Sequence, residues 1–107
     1  MNDIFIYRSN GQYLGFIRNT NLYSRDGIYL GYLTDNYAWD TLGQYRGALK
    51  SLSTPSGNKY FIIRNMYGIP PYPQVARSSE NLSINELPSQ LSPINPILRP
   101  VGYMDGF

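Results

Sequence analysis

Carboxylates, lysine amines and phenols are the groups left in this chain for proton transfer, because the sequence holds no histidine and no cysteine. Without histidine it lacks the commonest general base and the commonest metal ligand, and without cysteine it has no thiolate nucleophile, thiolate metal site or disulfide. Asp26, Asp35, Asp40 and Asp105 include no pair close in sequence. An acid and a base drawn from them would have to meet across the fold, and Asp26 is already explained by a turn. Arg8, Arg18, Arg25, Arg46, Arg64, Arg77 and Arg99 stand among aromatic residues, the pattern of an RNA-binding face. One basic residue per repeat is equally the pattern of a solvated face, and a net charge of +2 is too small and dispersed for a nucleic-acid partner. The reading is a non-enzyme with no catalytic residue, no metal and no cofactor.

Tyrosine is the unusual component: eleven Tyr stand beside ten Gly and eight Pro, with one Trp and four Phe. Tyr13, Tyr29 and Tyr45 recur at a fixed interval, and Tyr67 and Tyr72 follow in a proline-containing stretch. Ring faces can stack on sugars or bases, which makes these five the candidate binding residues. The competing and favoured reading is that the tyrosines form the core of a small β protein and its rim. Ile69-Pro70-Pro71-Tyr72-Pro73 has the preformed extended character of ligands for SH3- and WW-type grooves. A rigid cover strapped over a sheet would have the same composition, and that is the preferred reading.

The elements that must position these groups are set by a period of 16 residues: Gly11, Gly27 and Gly43; Gly15, Gly31 and Gly47; Tyr13, Tyr29 and Tyr45; Tyr7, Tyr23 and Trp39. Asn10-Gly11 and Asp26-Gly27 are dipeptides favoured in two-residue type I′ turns, so each unit reads as a β-hairpin. The third unit has Leu42-Gly43, and leucine is poorly suited to positive φ, which predicts a longer turn or one of another type. Strands Ile4 to Ser9 and Gln12 to Ile17 would then pair Tyr7 with Leu14 and Phe5 with Phe16. The second glycine column lies inside the returning strands, which implies a crowded axis or an aromatic ring laid over each glycine. Polar links at Arg18 to Asn21 and Thr34 to Asn36 leave no room for helices, so the repeats at 4–19, 20–35 and 36–51 are spatial neighbours.

A turn-rich segment, Ser53 to Asn58, precedes Tyr60-Phe61-Ile62-Ile63-Arg64, which echoes Ile4-Phe5-Ile6-Tyr7-Arg8. The prolines that follow cannot supply a return strand. Val101-Gly102-Tyr103-Met104-Asp105 resembles Leu30-Gly31-Tyr32-Leu33-Thr34 and is the best candidate. The expected fold is one all-β domain over 1–107: tandem hairpin repeats, four around a pseudo-fourfold axis, with the fourth split between 60–65 and 99–105 by a Pro-rich insertion at 66–98. Within the insertion, Leu82, Ile84, Leu87, Leu91, Ile94 and Ile97 either form one short helical turn near Leu82 to Leu87 or drape over the hairpins. Ser83 to Glu86 has the spacing of a capping box.

These hairpin units, with an aromatic residue, an Asn-Gly or Asp-Gly turn, a second glycine followed by two apolar residues and then a proline-interspersed C-terminal segment, resemble the bacterial four-fold β-flower proteins. The resemblance covers residues 4 to 51 and the final strand. It implies the fold and carries over no catalytic residue, since that family has no established activity. No apolar stretch approaches a membrane span and no signal peptide is evident, so the expectation is a cytoplasmic protein with no membrane partner. The leading functional expectation is a binding or assembly module that engages a protein partner through the insertion or an aromatic groove. The alternative is binding of a small molecule, carbohydrate or nucleic acid by the tyrosine face, and homo-oligomerisation through exposed strand edges stays open.

Overall fold

The computed structural model describes residues 3–107. Eight strands follow in order: β1 Ile4–Tyr7, β2 Tyr13–Arg18, β3 Asn21–Ser24, β4 Tyr29–Thr34, β5 Tyr37–Asp40, β6 Tyr45–Thr54, β7 Gly57–Asn65 and β8 Tyr103–Asp105. Each strand pairs with the next antiparallel, and a parallel pairing of Ile6 with Tyr60 and Tyr7 with Phe61 joins β1 to β7. The first seven strands thus close on themselves, and β8 lies against the end of β7. The molecule is a flat disc of 39 × 38 × 18 Å.

The turns differ from the sequence expectation in an instructive way. In the first hairpin the Arg8 N–H donates to the Gln12 carbonyl and the Gly11 N–H donates back to Arg8; only Gly11 has positive φ, at 92°. That is a three-residue loop, a turn closed by a left-handed glycine with a bulge beside it, and not a two-residue type I′ turn. The bulge corrects the pairing: Phe5 does face Phe16, but Tyr7 faces Tyr13, and Leu14 is skipped. Ser24 with Gly27 and Asp40 with Gly43 repeat the same bonds, so the third turn is of the same type as the first two. Leu42 is tolerated because glycine alone carries the left-handed conformation. The type I′ turns lie instead in the polar links, where Asn19, Thr20, Asp35 and Asn36 all have positive φ, at 51°, 66°, 51° and 67°. Asn and Asp tolerate that conformation better than most residues, while Thr20, being β-branched, is the strained member.

Three bulges at equivalent places, skipping Leu14, Leu30 and Arg46, set Gly15, Gly31 and Gly47 opposite Ile6, Leu22 and Ala38. In the split unit the Gly106 N–H donates to Ile62. Gly106 therefore matches the strand glycines, while Gly102, at φ 85°, takes the place of a turn glycine. This shifts the matching of Gly102 with Gly31 by one glycine column. Ile6, Leu22, Ala38 and Ile62 meet in one core cluster with Leu14 and Ile17. A Cβ on any of Gly15, Gly31 or Gly47 would strike a carbonyl of the next hairpin, so the glycine column reflects crowding by backbone and not by rings. The ring laid over a glycine occurs elsewhere, where Tyr67 covers Gly102.

The insertion is a strap running past the turns in reverse order. Gln74 donates to the Gly43 carbonyl, Leu82 to Gly27 and Ile94 to Gly11, so each turn glycine accepts one strap N–H. Leu82 and Leu87 pack on Phe16, Tyr23 and Tyr29, while Leu91, Ile94 and Ile97 pack on Tyr7, Tyr13, Phe61 and Ile63. Both expected states coexist: the strap drapes over the hairpins, and Ile84–Glu86 forms one 3-10 turn, with the Ser83 N–H donating to Glu86 Oε1 at 2.9 Å. Arg18 ties the strap to β1 by a bidentate pair with Asp3 at 2.8 Å on each arm and a bond to the Glu86 carbonyl at 2.7 Å. That pairing holds the Asp3 carboxyl below its usual range.

One buried polar atom is unpaired. The Tyr13 hydroxyl, on a side chain only 2% exposed, has no hydrogen-bond partner among the described residues. Burial pushes its phenol up to about 12, with the Tyr7 phenol as a second cause. Because the unfolded phenol titrates near pH 10, stability is whole below that value and is lost as pH rises through the window to about 12. Tyr13→Phe removes the unpaired hydroxyl and is expected to stabilise the fold by about 1 kcal/mol. Urea midpoints at about pH 9 and about pH 11 should fall less in the variant than in the parent; an equal fall would assign the loss to Tyr7, Tyr29 and Tyr45, whose phenols burial also raises.

Candidate functional site

Neighbouring hairpins pair along their flanks, but not equally. β2 meets β3 as far as Gly15 and Ser24, and β4 meets β5 as far as Gly31 and Asp40. β6 meets β7 from Ala48 and Ile63 onward, one residue pair short of the other two seams, with Gly47 still close against the Ile63 carbonyl and the Arg64 amide. A cleft of about 700 Å³ lies at this end of the seam, with Tyr45, Arg46, Arg64, Pro70, Pro71 and Pro73 among its lining residues together with Met104 and Phe107. The third link also turns on two residues, Pro55-Ser56, but at the tip of a ribbon in which β6 and β7 run on beyond the 16-residue period.

Charge in the cleft is fixed by hydrogen bonds. Arg64 donates from one Nη to the Tyr45 carbonyl at 3.1 Å, and its guanidinium lies 5.7 Å from the centre of the Tyr45 ring. Arg46 donates from Nε to the Gly106 carbonyl at 2.5 Å and lies over the Phe107 ring at 4.5 Å. Asp40 and Asp105 come to the same cleft, as an acid-base pair would require. Both carboxylates have structural bonds: Asp40 Oδ1 accepts from the Leu42 and Gln44 amides, closing the third turn, and Oδ2 lies 3.7 Å from Arg46. Asp105 accepts from the Ser9 amide and hydroxyl at 2.9 and 2.7 Å, fastening β8 to the first hairpin. Burial pushes the Tyr45 phenol up, with Tyr37 adding to the shift and Arg64 opposing it.

The five tyrosines named from the sequence do not form one face. Tyr13 and Tyr29 are in the core, 2% and 8% exposed, under the strap, which corrects their reading as ligand-facing rings. Tyr45 is half-buried in the cleft, edge-on to Tyr37 and Trp39. Tyr67 and Tyr72 are 81% and 91% exposed, on the segment that forms the proline wall. Arg46 was missed as a site residue, although the sequence marks it: the bulge column reads Leu14, Leu30, Arg46, so the repeat departs from itself where the cleft opens.

No helix among the described residues is long and apolar enough to cross a membrane. A family model described as 4-fold beta flower protein matches residues 2–105. No match was found among curated proteins or among solved structures.

Proposed function

The chain belongs to the 4-fold beta flower protein family, and from that scaffold we propose that it is a non-catalytic binding module whose partner is a protein, engaged at the cleft and the segment beside it. The observation that carries this reading is an apolar display. Met66, Tyr67, Ile69 and Tyr72 are 52%, 81%, 97% and 91% exposed within one short run. Large apolar side chains exposed on a surface cost free energy in water and mark interaction sites when they lie together. The prolines among them keep the backbone extended before contact, which lowers the entropy lost on binding. The remainder of the insertion is bonded to the hairpin turns, so the reading assigns binding to 66–73 and the cleft, and scaffolding to the strap.

Ile69→Ser combined with Tyr72→Ser tests this directly. Both side chains are almost wholly exposed, so the variant should keep its strand-rich circular dichroism and melt within about 2 °C of the parent. It should lose the proteins that the intact chain retains from a lysate of its source cell. Equal retention by parent and variant removes this segment from the reading. Sedimentation of both proteins separates a foreign partner from a second copy, since a self-associating parent would become monomeric on substitution.

A further inference from the structure

Beyond Ala48 the strand β6 runs out of the closed sheet with one side bare. Its last partner on the β5 side is Tyr37, opposite Ala48, and the Leu49 N–H still donates to the Asn36 carbonyl. From there to Thr54 one side of β6 pairs with β7, and no described strand pairs with the other. Main-chain groups alternate along a strand, so those of Ser51 and Ser53 point the same way as the Leu49 N–H, away from β7. Both residues are exposed, and among the described residues no main-chain bond outside the ladder with β7 reaches them. Open strand edges are normally blunted by proline, by a bulge or by charge. The run Lys50-Ser51-Leu52-Ser53-Thr54 has a single lysine, no proline and an unbroken register with β7. Leu52, 43% exposed, also lines a hollow of about 330 Å³ together with Phe61, Ile63, Ile97 and Leu98.

We propose that this edge joins two copies of the chain, β6 to β6 antiparallel, about a twofold axis at Leu52. The register follows from the free donors. With Leu52 opposite its copy, Ser51 of each chain faces Ser53 of the other, and each such pair exchanges both of its main-chain bonds. Sliding one way sets Ser53 against Leu49, whose N–H is already taken by Asn36. Sliding the other way sets Ser51 against Pro55, which has no N–H to give. The register that uses every free donor also separates the charges, because Lys50 faces Thr54 of the copy. The two lysines then stand about 13 Å apart along the ladder, beyond the roughly 8 Å Debye length of physiological salt. The Leu52 pair falls at a non-hydrogen-bonded position, where side chains come closest. A second copy suits the edge better than a foreign strand, since it brings the same leucine and the same apolar hollow to the axis. A ladder over 50–54 is short beside the roughly 1,200–2,000 Å² that stable interfaces bury, so the association is weak, with Kd of about 0.1 mM.

The test is nuclear magnetic resonance of the full chain from about 20 µM to about 2 mM, a range that brackets the expected Kd. The Ser51 and Ser53 amides should shift with concentration and exchange with solvent more slowly at its upper end. A mixture of labelled and unlabelled chains should show contact between the Leu52 Hα protons of different molecules, which this register alone brings together. Ser51→Pro removes a donor that β7 does not use, so it should keep the ribbon and weaken association about tenfold. Leu52→Lys sets two ammonium groups face to face and should weaken it as much, and mixing that variant with Leu52→Glu should restore pairing. The charge variants keep the test valid if Ser51→Pro fails to fold. A chain monomeric throughout overturns the inference, and if an added Thr-Val-Thr-Val-Thr peptide then shifts the Ser51 and Ser53 amides, the edge belongs to a foreign strand. A dimer that both Leu52 variants leave unchanged overturns it as well, by placing the contact elsewhere. The Ile69 and Tyr72 variant should associate as the parent does, so this interface and the binding segment at 66–73 stand or fall separately.

Discussion

Replacing residues 66–102 by Asn-Gly is expected to abolish cooperative folding. The excision looks harmless to the sheet: Asn65 and Tyr103 are paired directly across β7 and β8, so a two-residue turn can join them without moving either strand. What disappears is cover. Leu82 and Leu87 leave Phe16, Tyr23 and Tyr29 facing water, and Leu91, Ile94 and Ile97 leave Tyr7, Tyr13, Phe61 and Ile63. Burying one such side chain fully is worth roughly 1.5–3 kcal/mol, and a domain has only about 0.05–0.15 kcal/mol of net stability per residue. Losing several contacts of that size together removes a margin of that order. The shortened chain should bind a hydrophobic dye, lose its near-ultraviolet tyrosine signal and melt without a sharp transition. A cooperative melt within about 5 °C of the parent would instead make the strap an appendage, and the hairpins would be a self-sufficient scaffold.

The strap shows where sequence reasoning reached and where it stopped. The 16-residue spacing of Gly11, Gly27 and Gly43 is a local signal, set by turn chemistry, and it locates all three hairpins. Their internal geometry depends on bulges at Leu14, Leu30 and Arg46, and a bulge leaves no residue-type signature when the skipped position is an ordinary leucine. The link turns were harder still, because Asn19-Thr20 and Asp35-Asn36 lack the glycine that normally announces positive φ. Gly102 was matched to the wrong column for a related reason: the split unit has no bulge, so its spacing from β7 carries no repeat information. That the insertion drapes over the hairpins was readable from its spaced apolar residues, but which turn each part meets was not. Its contacts to Gly43, Gly27 and Gly11 are main-chain hydrogen bonds, and such bonds select no side chain.

The cleft was legible in principle. A repeat that places leucine twice and then arginine in one column breaks its own rule at the residue that lines the cleft. Sequence consistency fails where a fold serves something other than its own stability. Reading the arginines as one solvated residue per unit averaged over that break. It also placed Tyr13, Tyr29 and Tyr45 in one class, although the first two are sealed by the strap and the third borders the seam.

Gly15→Ala is expected to be severely damaging, and a second glycine shows why. Gly15 is not at positive φ, so alanine is compatible with its backbone. Its Cβ, however, would overlap the Tyr23 carbonyl oxygen and lie 2.9 Å from the Ser24 Cα. Both obstacles are main chain of the strand paired to it, through Gly15 with Ser24 and Phe16 with Tyr23, so no rotamer can relieve the clash. The first two hairpins would have to part, at a cost of about 3 kcal/mol and a fall in melting temperature of about 15 °C. Gly57 is the converse: nothing lies within 4 Å of its Cβ position, but its φ is 112°. Gly57→Ala should therefore cost only the strain of a left-handed residue in a ribbon tip, about 1 kcal/mol. Thermal melts of the two variants separate close approach from backbone conformation. If Gly57→Ala proved as harmful as Gly15→Ala, conformational preference would explain the strand glycines, and the contact between hairpins would not be what fixes their spacing.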